Sequence, residues 1–255
     1  MAVACSLRTF GNCSAVLQGS GQWLDDRFSP PYIMSMAAAS PAHDTRSAIL
    51  SAGQAIMGRK GYSSVGLSEI LTAAGVPKGS FYHYFGSKDA FGAAMVSAYF
   101  DDYLAEMDAI IAKAGLTAAE RLMLYFANWR ENQIAHDCQG RCLAVKLGAE
   151  VADLSEPMRV ALKAGTGGVV SRLETMLEAG VADGTLTVDG KARDAATSLY
   201  NQWLGASVMV KIERTHEPFE AALRSTRQSS LPVRLSKATM NESPWWSQLI
   251  TILVP

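Results

Sequence analysis

A chain of 255 residues with 49% hydrophobic and 18% charged side chains has the composition of a soluble globular protein and is long enough to bury a core. Its formal net charge of −1 gives no overall attraction to nucleic acid, and no apolar run approaches the ~20 residues that a membrane span needs. The start lacks the charged and apolar segments of a secretory signal, so a cytoplasmic protein is expected, with Cys5, Cys13, Cys138 and Cys142 as thiols.

In chain order, residues 1–40 show no helical period, carry Pro30-Pro31 and many Gly, Ser and Asn, and are expected to form a disordered extension. Ile49, Ala52 and Ile56 then recur at helical spacing, and Arg59-Lys60 followed by Gly61 ends that helix. Leu67, Ile70, Leu71 and Ala74 predict a second, short helix that stops at Gly75. Gly75 supplies the permissive backbone of a tight corner, Val76 plugs the angle, and Pro77 suits the start of a third helix over Lys78–Phe85. Ser87 is placed to cap a long helix, with Asp89 in its first turn and Phe91 and Met95 on its apolar face.

Further on, Thr117-Ala118-Ala119-Glu120 is a capping-box pattern ahead of Leu122, Tyr125, Phe126 and Trp129. Leu143–Leu154 predicts a short helix, Ser155-Glu156-Pro157 opens one to about Gly180, and Asp183-Gly184 marks a turn. A long helix is expected over about Lys191–Arg214 and a shorter one over Pro218–Thr226, before a poorly ordered tail at 229–255. No segment alternates like a strand, so the fold class is all-α.

The third helix carries the first chemistry. Phe81 and Phe85, four apart, can anchor it inward, which leaves Lys78, Ser80, Tyr82, His83 and Tyr84 to project around it. Hydroxyls, phenols and a lysine near a helix start suit phosphate contact and base-edge reading. For an isolated aromatic helix the simpler reading is core, and here the glycine corner and flanking helices reverse that preference. Between His43 and Ala90 basic side chains exceed acidic ones by two, which is permissive for DNA without being diagnostic.

Gly61-Tyr62, Leu67 and Ile70, and the run Ala74-Gly75-Val76-Pro77-Lys78-Gly79-Ser80-Phe81-Tyr82, with Tyr84-Phe85 and Ser87-Lys88-Asp89, resemble the DNA-binding domain of the TetR family. Gly66 stands where the family favours a Ser or Thr cap, and Phe91 where leucine is common; both are tolerable. The resemblance implies a helix-turn-helix domain at 43–90 and a helical effector-sensing and dimerisation domain at 91–228. It implies that Lys78–Phe85 enters the major groove and that Lys88 holds a phosphate. The residues so expected to face double-stranded DNA are Ser68, Lys78, Gly79, Ser80, Tyr82, His83, Tyr84 and Lys88. One half-site per subunit implies a homodimer on a near-palindromic operator. The helices near 157–181 and 191–213, long and rich in Ala, Gly, Leu and Val, allow close approach around a two-fold axis and are expected to build it.

The stretch from Cys138 through Cys142 to Leu147, together with Glu150-Val151 and Trp203-Leu204-Gly205-Ala206, is similar to the NemR- and AcuR-like branch of that family. That branch includes regulators responsive to reactive electrophiles or to small unsaturated acids. Cys142 falls on the branch's cysteine position, immediately before a helix, where amide groups and Arg141 or a lysine can favour a thiolate. It can equally be a small buried hydrophobe. Cys138 is a possible resolving partner. Lys211 reads as a snorkelling residue at a helix end, with the sharper alternative that it points beside Cys142. Trp129, with Tyr125 and Trp203, reads as core, although a pocket for a small-molecule effector would need such residues too.

These features imply a DNA-binding repressor released by a small molecule. The competing classes are a helical ligand-binding or thiol-reactive protein without DNA binding, and an enzyme using Cys142 and His136, for which no orienting carboxylate is evident. No cofactor is expected. A metal site from Cys138, Cys142 and His136 lacks a fourth ligand.

Overall fold

The computed structural model describes the backbone of residues 41–138 and 142–230, and within these the side chains of 45–134 and 142–230. The expectations for residues 1–40 and for the tail past Ser230 lie outside the described residues. Among the described residues every regular element is a helix. These are α1 (Pro41–Lys60), α2 (Leu67–Ala74), α3 (Lys78–Tyr84), α4 (Lys88–Ile111), α5 (Ala118–Cys138), α6 (Leu143–Leu154), α7 (Glu156–Ala182), α8 (Ala192–Glu213) and α9 (Glu217–Ser230).

The helix boundaries follow local chemistry. Gly61 leaves α1 at φ 90°, and Gly75 leaves α2 in the left-handed region at φ 68°, ψ 28°, which an L side chain adopts only with strain. The Ser87 hydroxyl accepts from the Ala90 amide at 3.0 Å to cap α4. At α5 the capping box forms in both directions: Glu120 accepts from the Thr117 amide at 2.8 Å, and Thr117 accepts from the Glu120 amide at 3.3 Å. Pro77 is the residue before α3 rather than its first turn, and α9 runs to Ser230, beyond the end expected near Thr226. There the Ser230 carbonyl accepts from the Thr187 amide at 2.9 Å, a long-range bond that the local pattern cannot reveal.

The first three helices and the start of α4 share a core of Ile49, Met57, Ile70, Phe81, Phe85 and Phe91, all buried. The body is organised on α7, which packs most extensively on α4 and also touches α5, α6 and α8. The α4–α7 approach is close because Gly165 lacks a side chain: a Cβ there would lie 2.1 Å from ring carbons of Phe100. The small residues of α7, which suggest close approach about a two-fold axis, divide: Gly165 and Gly168 pack within the chain, against Phe100 and Leu104, while Gly167 has open space beside it. The large apolar side chains that α7 and α8 leave exposed are Val160, Val181, Val208, Met209 and Ile212.

Candidate nucleic-acid interface and thiol site

On α3 the sequence divides into two faces. Phe81 and Phe85 are buried, with ring centroids 5.3 Å apart, and both pack on Phe91 at the start of α4. Lys78, Gly79, Tyr82 and His83 are exposed, Tyr82 by 56%, while Ser80 and Tyr84 are half-buried. A large aromatic ring held outward by a helix whose other aromatics are anchored is available to a partner. Ser68, early in α2, is exposed as well. The corner between the helices is closed by the Val76 amide donating to the Leu71 carbonyl at 3.1 Å, and Val76 itself packs on the core.

Lys88 is placed differently from a free surface lysine. Its Nζ donates to the Tyr62 carbonyl at 3.0 Å and lies 4.3 Å from the centre of the Tyr62 ring. The Tyr62 hydroxyl in turn bonds the Asp89 carboxylate, and burial together with that carboxylate pushes the phenol well above its ordinary value. An ammonium has three donors, so the Tyr62 contact orients Lys88 without exhausting it.

The turn carrying Tyr62 is gripped by a residue to which sequence reasoning gave no role. Glu150, on α6, accepts from the Tyr62 amide at 3.0 Å and from the Ser63 amide at 2.7 Å. Burial pushes its carboxyl up, but the Ser63 and Tyr62 hydrogen bonds and the nearby Lys146 outweigh that and hold it below the usual carboxylate range. A separation of 87 and 88 residues leaves no local signal for this contact.

In the body, Cys142 is the residue before α6 and is half-buried. Around it stand Tyr99 and Tyr103 of α4, Tyr125 of α5, and Tyr200 and Lys211 of α8. The Tyr103 and Tyr125 hydroxyls are 2.9 Å apart. Burial raises the Cys142 thiol above its ordinary value, against the opposing pull of the Val145 amide, the Tyr99 hydroxyl, the Ala144 amide and the Lys211 charge. The Val145 and Ala144 amides and the Lys211 charge pull in the direction that the sequence suggests. The balance differs, because desolvation outweighs them and moves the thiol above its ordinary value. The cluster of tyrosines was not foreseen; Tyr99 and Tyr103, four apart on one helix, were its available signal.

Trp129 is buried, and its indole N–H donates to Ser207 at 2.9 Å, which satisfies it within the core beside Tyr125, Tyr200 and Trp203. The side chains of Cys138, His136 and Arg141 lie outside those described, so their expected roles are not placed. A cavity of about 530 Å³ opens between α8, α9 and the turn before α8, lined by Asp189, Ser198, Gln202 and Gln228; Cys142 does not line it.

Residues 49–95 match the pattern described as bacterial regulatory proteins, tetR family, and residues 118–226 match the tetracyclin repressor-like C-terminal domain. The HTH-type transcriptional repressor NemR of Escherichia coli is 41% identical over 181 residues, 71% of this chain and 91% of that protein. The transcriptional regulator AcuR of Cereibacter sphaeroides is 35% identical over 188 residues, 73% of this chain and 84% of its own length. A crystal structure of the reduced form of Escherichia coli NemR superposes with a TM-score of 0.72 at 39% identity, covering 75% of this chain and all of that one. An N-terminal helix-turn-helix on a helical body, matched in both parts and by relatives over most of their length, means that the chain belongs to the TetR family of bacterial regulatory proteins.

Proposed function

We propose that this protein is a transcriptional repressor that binds near-palindromic duplex DNA as a homodimer and leaves it when the body senses a small, thiol-reactive molecule. The observation that carries the first half is the division of α3, with Phe81 and Phe85 anchored while Lys78, Gly79, Tyr82 and His83 face outward. In this reading α3 lies in the major groove, Ser80 and Tyr84 flank the contact, Ser68 meets the backbone from α2, and Lys88 meets a phosphate at the start of α4. Two of the proteins to which the chain is similar are named transcriptional repressors, NemR and DhaR, which favours repression over activation.

The second half rests on Cys142. The sulfur is held among tyrosines with Lys211 close by, and a relative's structure is described as a reduced form, which supports redox-active or electrophile-active chemistry at a thiol. A polar adduct at such a packed position forces α4, α6 and α8 to repack, and a two-state shift of about 1–3 kcal/mol changes operator affinity about 5- to 150-fold. Cys138 is the candidate resolving thiol, and Trp129 a core support of the same region. Location in the cytoplasm is part of this reading; among the described residues no helix is long and apolar enough to cross a membrane.

The decisive test of DNA binding uses Lys78→Ala and Tyr82→Ala. Each should weaken operator binding while leaving helicity and melting temperature unchanged. Lys78→Ala should also flatten the log–log salt dependence by about one unit per subunit engaged. Unchanged binding by both variants would mean that a different element reads DNA, and no duplex binding by the parent protein would favour a thiol-reactive protein without a DNA role.

A further inference from the structure

The link between thiol and reading head has a specific structural candidate. Helix α1 ends at Lys60, and Gly61 turns the chain at φ 90°, its amide still bonded to Met57 at 2.9 Å. The next two amides, of Tyr62 and Ser63, are both taken by one carboxylate of another helix, Glu150 Oε2 and Oε1. The backbone angle favours glycine at position 61, and a Cβ there would lie 2.8 Å from Glu150 Oε2, so a side chain would push the carboxylate aside. The same helix touches α1 a second time: Leu143 Cδ2 lies 3.5 Å from where a Cβ of Gly58 would stand. Leu143 directly follows Cys142, and seven residues of helix, about 10 Å, separate it from Glu150.

On its other side the turn holds the start of α4. Tyr62 supplies the carbonyl and the ring for Lys88 and the phenol for Asp89. A continuous series of contacts therefore runs from Cys142 and Leu143 along α6 to Glu150, through the Tyr62–Ser63 amides, to Lys88. We propose that Glu150 is the latch coupling body to head, a positioning residue that holds the α1–α2 turn, and with it Lys88, in the DNA-competent arrangement until modification of Cys142 shifts α6. This deepens the repressor reading and rests on it for its consequence at DNA, while the latch itself is observable without DNA.

The mechanism is a bidentate, charge-assisted grip that requires registry. A carboxylate receiving two amides, at 3.0 and 2.7 Å, holds both only over a narrow range of α6 positions. Lys146, one turn earlier, is a donor and cannot substitute.

The test measures two things on the full-length protein before and after iodoacetamide, with Cys142→Ser as the control for the other thiols. The first is amide exchange at Tyr62 and Ser63. Both should exchange at least tenfold faster after alkylation, and equally fast without alkylation in Glu150→Ala. Protection that is indifferent to alkylation of Cys142, or to loss of Glu150, overturns the latch. The second is the ratio of operator affinities, unmodified to alkylated. Wild type should give a ratio within the 5- to 150-fold range of allosteric couplings, and both Glu150→Ala and the isosteric Glu150→Gln a ratio within about twofold of one, with Cys142 alkylated at the wild-type rate. Retention of the wild-type ratio by both variants also overturns it. If alkylated wild type keeps its DNA, the thiol-sensing half of the repressor reading fails separately, and the exchange measurement alone decides the latch.

Discussion

Tyr82 and Cys142 are opposite cases of a reactive side chain in a packed helical protein. Tyr82 is exposed because its neighbours one residue before and three after, Phe81 and Phe85, are fixed in the core, so its outward position is legible from spacing alone. Cys142 could be placed before a helix from sequence, but its surroundings come from α4, α5 and α8, and their sum reverses the expected direction of its pKa. A raised thiol pKa lowers the thiolate fraction at neutral pH. Alkylation of Cys142 should therefore be slower than that of a free thiol at pH 7 and rise as pH passes above the ordinary thiol value. Lys211→Ala removes a favourable charge and should move that profile further up. A profile centred below the free-thiol value would mean that the helix amides and lysine dominate after all. Cys142→Ser should keep operator binding and lose release by an aldehyde or quinone, whereas Cys138→Ser should respond nearly as the parent; release of Cys142→Ser at the parent dose would assign Cys142 to packing and the effector to non-covalent binding.

At the scale of elements, caps and corners were the readable features. Ser87, the Thr117–Glu120 box, and the glycines at 61 and 75 act as their types dictate, because each needs only its immediate neighbours. What spacing could not convey is which helices touch. The role of Gly165 is visible only once Phe100 is set against it, and that of Glu150 only once α6 crosses the end of α1. Gly165→Ala illustrates the point. Alanine is the better helix former by about 1 kcal/mol, yet the added methyl meets a buried ring, and overpacking of this kind costs about 1–3 kcal/mol. We expect a lowered melting temperature, partly restored by shortening Phe100 to Leu. A more stable Gly165→Ala protein would mean that α4 and α7 separate more easily than their packing suggests.

For the whole molecule, the family assignment rests on matches in two parts of the chain, residues 49–95 and 118–226. A homodimer is what the family leads one to expect. Gly165, Gly168 and Gly180 of α7 pack within the chain, and the exposed apolar side chains Val208, Met209 and Ile212 on α8 with Val160 on α7 are a surface that a second copy would cover. Ile212→Glu should shift the protein from dimer to monomer in light scattering at micromolar concentration and lower operator affinity with it, while a dimer unaffected by this change places the two-fold axis elsewhere.

The central claim is that a thiol state in the body controls duplex recognition by α3. Its most direct measurement is selection of random duplex DNA by the purified protein, reduced and then alkylated, with the recovered fragments sequenced. The account predicts a near-palindrome with half-sites about one helical turn apart from the reduced protein, and loss of that enrichment after alkylation. Enrichment of the same palindrome in both states, or of none in either, would contradict it.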